Sequence, residues 1–313
     1  MTSTDWGDPR QLAAIVAPPP DMAAEPPCMF PLSWYREFLR EIRRRDIEIL
    51  TYRDLFADSD DWDYESHYLA EYEAWLERRD PKRIYLLIQH DVDLLPEFTR
   101  RMVALEMQHE IRSNIFLFHE RFSRREKTPV YDVDHAFFRG AEAAGFVIGY
   151  HQNALQLAGF DLERAVERYR ADVAALREHY CIEFVVPHGG MGVVIDGVKR
   201  HNHDVPMPPE LAGSVRWMYN RYGARFPVRW SDGGLRKCRD LERIRRTDLI
   251  GVFLDGLRPG SRNFCLVHPQ RWGFHVQPDS NPLLAAEPWY RALCERSDAL
   301  IAPSPPAHRG QIA

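Results

Sequence analysis

The tripeptide Asp-Val-Asp occurs twice among the residues that could do chemistry, at 91–93 and at 132–134. Two carboxylates one residue apart can bind a metal ion or act as a general base, and they can equally stabilise the start of a helix. The first copy follows the apolar run IYLLIQ, which is typical of a buried strand. The second copy precedes the helix-like segment HAFFRGAEAAG, so we interpret it as a structural helix cap.

Histidine and aspartate also follow the other predicted strands. FVIGYHQN ends in His151 and Asn153, IEFVVPHGG contains His188, PVRWSDGG contains Asp232, and NFCLVHP contains His268. Because the carboxyl ends of parallel strands meet at one edge of an α/β sheet, these side chains should lie close together. One carboxylate with two imidazoles suits a divalent transition metal, and a second carboxylate can act as general base on water. The pattern favours a metal-assisted hydrolase.

The elements that must position these residues alternate between strand and helix. Apolar strand candidates are separated by amphipathic helices, the clearest of which spans 161–180 with apolar residues at steps of four and three. Such alternation between 83 and 272 indicates a parallel sheet covered on both faces. It favours an α/β fold of the distorted or incomplete (β/α) barrel type, with an open doubly wound sheet as the alternative. No GxGxxG or GxxxxGK[ST] turn follows a strand, so nothing indicates a dinucleotide or P-loop site.

Composition divides the chain into three parts. Residues 1–33 are rich in proline and predict an arm that drapes over the body or stays mobile. Residues 34–80 are charged and aromatic with helical spacing, and predict a helical extension packed on the barrel. Residues 81–313 would form the barrel itself.

Charge and cysteine content narrow the class of protein. The 313 residues carry a formal net charge of -5 with both signs interspersed, so no basic stripe indicates a nucleic-acid partner. No run approaches the roughly 20 apolar residues of a membrane span, and the first residues lack the features of a secretory signal. Five widely spaced cysteines without a CxxC do not predict a disulfide framework or a cysteine zinc site. We therefore expect a reduced, cytoplasmic protein.

The motifs resemble those of the polysaccharide deacetylase superfamily, the NodB-homology or carbohydrate esterase type, whose fold is a distorted (β/α) barrel. The resemblance covers the alternating region and rests on HDVD, GYHQN, WSDGG and LVHP in the family's order. It implies that Asp91 is the catalytic base and that Asp93 and His151 are metal ligands. It also implies that His268 protonates the leaving group, while Asp232 orients a catalytic group.

Two of the family's motifs are altered in this chain. The family's second motif supplies two histidines four positions apart, whereas Leu155 stands at that distance from His151. The sequence VVPHGG replaces the usual Arg-Pro of the third motif. We infer that His188 replaces the missing imidazole, because imidazole is a good ligand for these metals. Asn153 is the alternative, since it shares a face with His151 in an extended strand.

The resemblance implies a hydrolase that removes an acyl group, commonly acetyl, from an amide on a sugar or a related small molecule. Its cofactor would be one divalent transition metal, Zn²⁺ first, with Fe²⁺, Co²⁺ and Ni²⁺ as the other options. A metal-dependent phosphoesterase and a catalytically degenerate carbohydrate-binding barrel are the alternatives. His90 could contact substrate or pack beneath the rim. Trp217, Trp230 and Trp272 could stack on a sugar ring or belong to the core.

Overall fold

The computed structural model describes residues 6–57, 68–120, 131–189, 192–218, 226–277 and 281–301. The strands in these ranges are β1 (Phe30–Pro31), β2 (Glu48–Leu50), β3 (Tyr85–Val92), β4 (Asn114–Leu117), β5 (Val147–Gln152), β6 (Phe184–Pro187), β7 (Val193–Ile195), β8 (Val198–Arg200), β9 (Arg216–Trp217), β10 (Val228–Ser231), β11 (Asn263–Val267) and β12 (Trp272–Gly273). The α-helices are α1 (Pro9–Ile15), α2 (Leu32–Arg44), α3 (Tyr52–Phe56), α4 (Tyr68–Glu77), α5 (Pro96–Gln108), α6 (His135–Ala143), α7 (Ala154–Leu157), α8 (Leu162–Arg177), α9 (Leu241–Arg245), α10 (Pro282–Ala286) and α11 (Pro288–Ile301). A π-helix spans Leu249–Leu254.

One curled, parallel sheet dominates the fold. Its strand order is β10-β11-β3-β4-β5-β6-β9, and β2 pairs with β3 beside this path. The sheet forms a half-barrel, a mixed α/β architecture consistent with the predicted incomplete (β/α) barrel. Within the described ranges β9 and β10 are the outermost strands, so the sheet is open at both of these edges.

Strand β3 lies in the interior of the sheet and is buried along its whole length. It pairs with β11 on one side, while β2 and β4 follow one another along its other side. Its carboxyl end therefore emerges between β4 and β11, in the middle of the half-barrel. This is the place where the sequence puts the first Asp-Val-Asp copy.

The alternation of side chains along β3 creates two separate apolar cores. Leu86 and Ile88 belong to the core between the convex face and the surrounding helices. Leu87, one residue away, belongs to a second core on the concave face, together with Phe116 and Phe264 of the neighbouring strands. Because successive strand residues point to opposite faces, each core receives every second residue.

The segment 34–80 differs from the predicted helical extension. The sequence predicts helix through residue 50, but α2 ends at Arg44 and Glu48–Leu50 form β2. Asp46 has a φ of 53°, a left-handed conformation that interrupts a right-handed helix. The following residues then pair with β3. This part of the chain supplies a strand of the half-barrel as well as helices α2, α3 and α4.

The described part of the proline-rich segment packs on the body of the fold and contributes to the core. Leu12, Val16 and Phe30 are at most 6% exposed. Helix α1 packs against α5, and β1 pairs with β12 in register Phe30 to Trp272. Pro9 begins α1. The N–H of the first helical residue has no hydrogen-bond partner within the helix, so a proline, which lacks this N–H, costs no hydrogen bond there. Apolar residues between the prolines therefore supply enough buried surface to hold the segment.

The predicted elements between 83 and 272 lie close to the observed ones. The segment SVRWMYN at 214–220, whose composition predicts a strand, forms only the two-residue β9, and residues 219–220 lie outside the described ranges. Asp134 of the second Asp-Val-Asp copy caps α6 by accepting from the backbone N of Phe137 at 3.0 Å, which confirms that prediction. Among the helices that the structure describes, none has the length and apolar character to cross a membrane.

Candidate metal centre at the mouth of the half-barrel

The concave face carries an apolar floor and a polar rim, and both follow from strand alternation. Along β3 the concave positions are Leu87, Gln89 and Asp91, and Asp93 follows just after the strand. The same two-residue steps connect floor to rim on three other strands: Val147 to His151, Phe184 to His188 and Phe264 to His268.

Asp93, His151 and His188 form a cluster whose potential ligand atoms all lie within 4.8 Å of one another. Nε2 of His151 is 3.2 Å from Oδ1 of Asp93, and Nε2 of His188 is 3.6 Å from the same oxygen. Ligand atoms around a tetrahedral ion with bonds of about 2.1 Å are separated by about 3.4 Å. The cluster can therefore hold a metal ion with little rearrangement, and its members are the three metal ligands that the sequence predicts.

The orientation of both imidazoles fits metal ligation. Nδ1 of His151 lies 3.1 Å from the carbonyl oxygen of Val186, and Nδ1 of His188 lies 3.0 Å from Oε1 of Gln156. Because these oxygens only accept hydrogen bonds, each neutral imidazole carries its proton on Nδ1. Each Nε2 then directs a lone pair at Oδ1 of Asp93, an arrangement that needs a proton or a cation between the atoms. Proteins present histidine to metals in this way.

Phe118 fixes the positions of the two histidine rings. Its ring stacks on His151 with centroids 4.9 Å apart and an interplanar angle of 5°. It contacts His188 edge-on, with centroids 5.3 Å apart. His151 is 1% exposed, whereas Asp93 and His188 are about a quarter exposed at 23% and 25%. The cluster is thus backed by an aromatic wall and opens to solvent on one side.

The protonation states of the cluster also suit a metal. Burial alone would raise the pKa of Asp93, but the hydrogen bond with His151 and the charges of His268 and His188 lower it overall. Burial lowers the pKa of His188 to about 4, against the attraction of Asp93. Burial opposes charging of His151 as well, but Asp91 and Asp93 outweigh it and raise the pKa. Asp93 is therefore a carboxylate and His188 a neutral imidazole at neutral pH, as ligation requires.

Asp91 lies beside the cluster, with Oδ2 3.9 Å from Nε2 of His151. Its other oxygen, Oδ1, accepts a hydrogen bond from Nε2 of Gln89 at 2.7 Å. Oε1 of Gln89 in turn accepts from the hydroxyl of Tyr52 at 2.7 Å. Gln89 thus fixes one carboxylate oxygen of Asp91 and leaves the other facing the cluster.

His268 and Asp232 form a tightly bonded pair on the other side of the site. Nδ1 of His268 lies 2.5 Å from Oδ1 of Asp232. The fully buried carboxylate also accepts from the backbone N of His268 at 2.9 Å and from Nε1 of Trp272 at 2.9 Å. Burial would lower the pKa of His268, but Asp232 outweighs it and, with help from Asp93 and Asp91, raises the pKa to about 9. The ring is therefore held through Nδ1, and Nε2 is the nitrogen available to a substrate.

Two predicted candidates lie away from the cluster's contacts. Nδ2 of Asn153 donates to the carbonyl oxygen of Glu120 at 2.8 Å, and among the described residues Asn153 forms no hydrogen bond with Asp93. The geometry therefore brings His188 to the carboxylate, as inferred from the altered motif. His90 is fully buried on the opposite face of β3, where Nε2 lies 2.8 Å from Oε1 of Glu106. Of its two predicted positions, the one beneath the rim is observed.

The three tryptophans considered for sugar stacking belong to the core. Trp217, Trp230 and Trp272 are 6%, 2% and 1% exposed. Nε1 of Trp230 donates to the carbonyl oxygen of Thr247 at 3.0 Å, and that of Trp272 donates to Asp232. None of these rings is exposed enough to stack on a ligand, so Trp272 can affect the site only through Asp232.

Sequence reasoning missed four residues that contact the site. Gln89 could have been found, because it precedes Asp91 by two and must share its face. Phe118 extends the same alternation from Phe116. Gln156 lies in α7 and Gln270, whose Nε2 is 3.4 Å from Oδ2 of Asp93, follows β11. No spacing in the sequence indicates either glutamine.

Comparisons of this chain with protein-family models, with curated proteins and with solved structures return no match. The resemblance to polysaccharide deacetylases therefore stays a prediction from the motifs.

Proposed function

We propose that this chain is a metal-dependent hydrolase that removes an acyl group, commonly acetyl, from an amide on a sugar or related small molecule, as the resemblance to polysaccharide deacetylases implies. The observation that carries the proposal is the shared orientation of His151 and His188 toward Oδ1 of Asp93, with each Nδ1 held by an oxygen acceptor. We propose Zn²⁺ as the ion, and Fe²⁺, Co²⁺ and Ni²⁺ suit the same ligands.

The metal, when bound by Asp93, His151 and His188, would supply a Lewis acid for the acyl oxygen and for water. Asp91 would then act as the general base. Its Oδ2 faces the cluster, whereas Oδ1 is occupied by Gln89. The side chain of Asp91 is 11% exposed, so water can reach it. In this scheme Oδ2 takes one proton from the attacking water while the oxygen of that water bonds to the acyl carbon.

His268 would act as the general acid. Asp232 holds Nδ1 and keeps the ring protonated, so Nε2 can give a proton to the amide nitrogen as its bond to the acyl carbon breaks. The products would be an amine and a carboxylic acid. Asp232 is a positioning residue here, since its oxygens are taken up by His268 and Trp272.

Metal content is the first test of the proposal. Elemental analysis of the purified wild type should find about one equivalent of a divalent transition metal, and His188→Ala should lose it. His109→Ala is the matched control, because this half-buried histidine follows α5 outside the cluster. Metal that remains in His188→Ala would place the third ligand elsewhere, with Asn153 next. A wild type that takes up no metal after reconstitution would favour the degenerate binding barrel.

Activity is the second test. Asp91→Asn should retain the metal and lose about 10²- to 10⁴-fold in acetate release from N-acetylated sugars, the contribution of a general base. Loss of metal in this variant would show that Asp91 and Asp93 have exchanged roles. Phosphate release from phosphomonoesters in place of acetate release would identify a phosphoesterase and overturn the proposal.

A further inference from the structure

A cavity of about 620 Å³ adjoins His268 at the open edge of the half-barrel formed by β10. Its volume lies within the range of roughly 300–1,000 Å³ that is usual for small-molecule sites. The lining includes Ser231 and Leu266 on neighbouring strands, and three arginines: Arg229, Arg243 and Arg246. The cavity is thus both large enough for a substituent of a substrate and rich in guanidinium groups.

Two of these arginines form no salt bridge within the described residues, although Asp240 and Glu242 also line the cavity. Arg246 pairs with Glu242 at 2.9 Å, and Asp240 accepts from the backbone N of Arg243 at the start of α9. The guanidinium of Arg243 donates to the carbonyl oxygen of Gly233. Across the part of the chain that the structure describes, neither Arg229 nor Arg243 is paired with a carboxylate. Two guanidinium groups that form no salt bridge therefore line the cavity, where three arginines face two carboxylates.

Arg229 lies on the same concave face as the candidate catalytic residues. It is in register with Phe264 of β11, and its guanidinium carbon is 5.7 Å from the centroid of that ring. Phe264 belongs to the concave core, and His268 follows it by four residues on the same alternation. The cavity therefore extends from the side of the site where the proposed leaving group would receive its proton.

We propose that this cavity binds an oxyanion, a phosphate monoester or a carboxylate, carried by the amine part of the substrate. Arginine recognises both groups through paired N–H donors. The proposal rests on the proposed function, because His268 defines the leaving-group side. It narrows the substrate class to N-acylated amines with an anionic substituent. Their deacylated products would carry the positive charge of the amine together with the negative charge of that substituent.

Anion binding tests the cavity without reference to catalysis. Isothermal titration with inorganic phosphate and with glucuronate should show binding of at least one of them to the wild type. Arg229→Gln should weaken that binding at least about tenfold, since a charged hydrogen-bond donor is lost. Arg291→Gln, which changes an exposed arginine of α11 outside the cavity, should leave it unchanged. Phosphate alone or glucuronate alone would identify the natural group, and each result supports the proposal.

One control separates this site from the metal centre. Phosphate can also bind a metal ion. The loss of phosphate binding caused by Arg229→Gln must therefore persist in a background with His188→Ala, which removes a proposed metal ligand. Equal binding by wild type and Arg229→Gln, an equal loss in Arg291→Gln, or no binding of either anion would overturn the proposal.

The substrate preference completes the test. The wild type should hydrolyse N-acetylglucosamine 1-phosphate or 6-phosphate with a higher kcat/KM than N-acetylglucosamine. Arg229→Gln should reduce this preference, the kcat/KM for the phosphorylated substrate divided by that for N-acetylglucosamine, about tenfold. Anion binding that depends on Arg229 without release of acetate from any substrate would overturn the proposed function and leave the anion site standing. Hydrolysis without preference and without anion binding would overturn the anion site alone.

Discussion

The His268–Asp232 pair lies beside a cavity at the rim of the sheet, whereas the His90–Glu106 pair is enclosed behind the same sheet. Nδ1 of His268 is 2.5 Å from Asp232, and Nε2 of His90 is 2.8 Å from Glu106. The side chain of His268 is 14% exposed, whereas those of His90 and Glu106 are completely buried. A histidine bonded to a carboxylate therefore belongs to the candidate site in one case and to the interior of the fold in the other.

The face of the sheet decides between these two roles. His90 and Asp91 are neighbours in β3, yet they point to opposite sides. Behind the convex face Glu106 of α5 accepts from His90, from the hydroxyl of Tyr35 at 2.5 Å and from Oγ of Ser113 at 2.7 Å. This buried network connects α2, α5 and β3, so we expect it to act on stability, and the pair at the rim to act on turnover.

The largest expected effect comes from His268→Gln. Turnover should fall by about 10²- to 10⁴-fold with the metal retained, because the proton donor to the leaving group is lost. The matched change His90→Gln can still donate to Glu106 and should alter kcat by less than about tenfold. Steady-state kinetics with elemental analysis would check both. Similar losses of turnover in the two folded variants would remove the distinction between the pairs.

The second effect is on folding. Glu106→Ala should lower the free energy of unfolding by about 3–5 kcal/mol, because it leaves a buried histidine, a tyrosine and a serine without their acceptor. Urea denaturation would measure the loss, and folded Glu106→Ala should keep its metal. Glu106→Gln retains an acceptor oxygen and should lose less. A change below about 1 kcal/mol in Glu106→Ala would show that the network does not support the fold.

The third effect is the titration of His268. Its ordinary pKa of 6.5 is raised to about 9, so the protonated form persists as the pH rises until about 9. The corresponding contribution to stability is complete below pH 6.5 and is lost as the pH rises through about 9. NMR titration of metal-free protein should show this pKa falling in Asp232→Asn, because Asp232 is the main group that raises it. An unchanged pKa in that variant would assign the shift to other groups.

The rim of the half-barrel was largely predictable from the sequence. Asp91 and His151 each lie one residue before the end of an apolar strand, and His188 follows one; parallel strands bring these ends to one edge of the sheet. The two-residue period of the strand then places Asp91 and His90 on opposite faces of the sheet. Predicting these residues required no knowledge of side-chain packing, because the regular backbone already determines their face and edge.

Other features depend on contacts between distant segments and could not be predicted. Residues 48–50 look helical in isolation, but their pairing with β3 and the positive φ of Asp46 make them a strand. Gln156 reaches His188 from a short helix, and Gln270 reaches Asp93 from a turn. The sequence shows Arg229 only as a charged residue near a strand end. That it pairs with no carboxylate among the described residues is known only from the folded structure.

The smallest expected effect concerns the apolar floor beneath the rim. A Cβ atom at Gly149 would lie 2.4 Å from Cε1 of Phe116 and 2.7 Å from the carbonyl oxygen of Phe184. Gly149→Ala should therefore cost about 1–3 kcal/mol through overpacking. It should also weaken metal binding, because His151 lies two residues further along the same face of β5. Thermal unfolding and metal titration would measure the two effects.

Gly140→Ala is the control, since the added Cβ on this exposed position of α6 would have no neighbour within 4 Å apart from the adjoining residues and the backbone of its own helix. It should stabilise the protein by about 0.5–1 kcal/mol, because alanine favours a helix more than glycine does. Opposite signs for the two substitutions would show that the concave floor is closely packed beneath His151. A neutral Gly149→Ala with unchanged metal affinity would mean that Phe116 can move aside without disturbing His151, and that strand alternation alone holds this ligand in place.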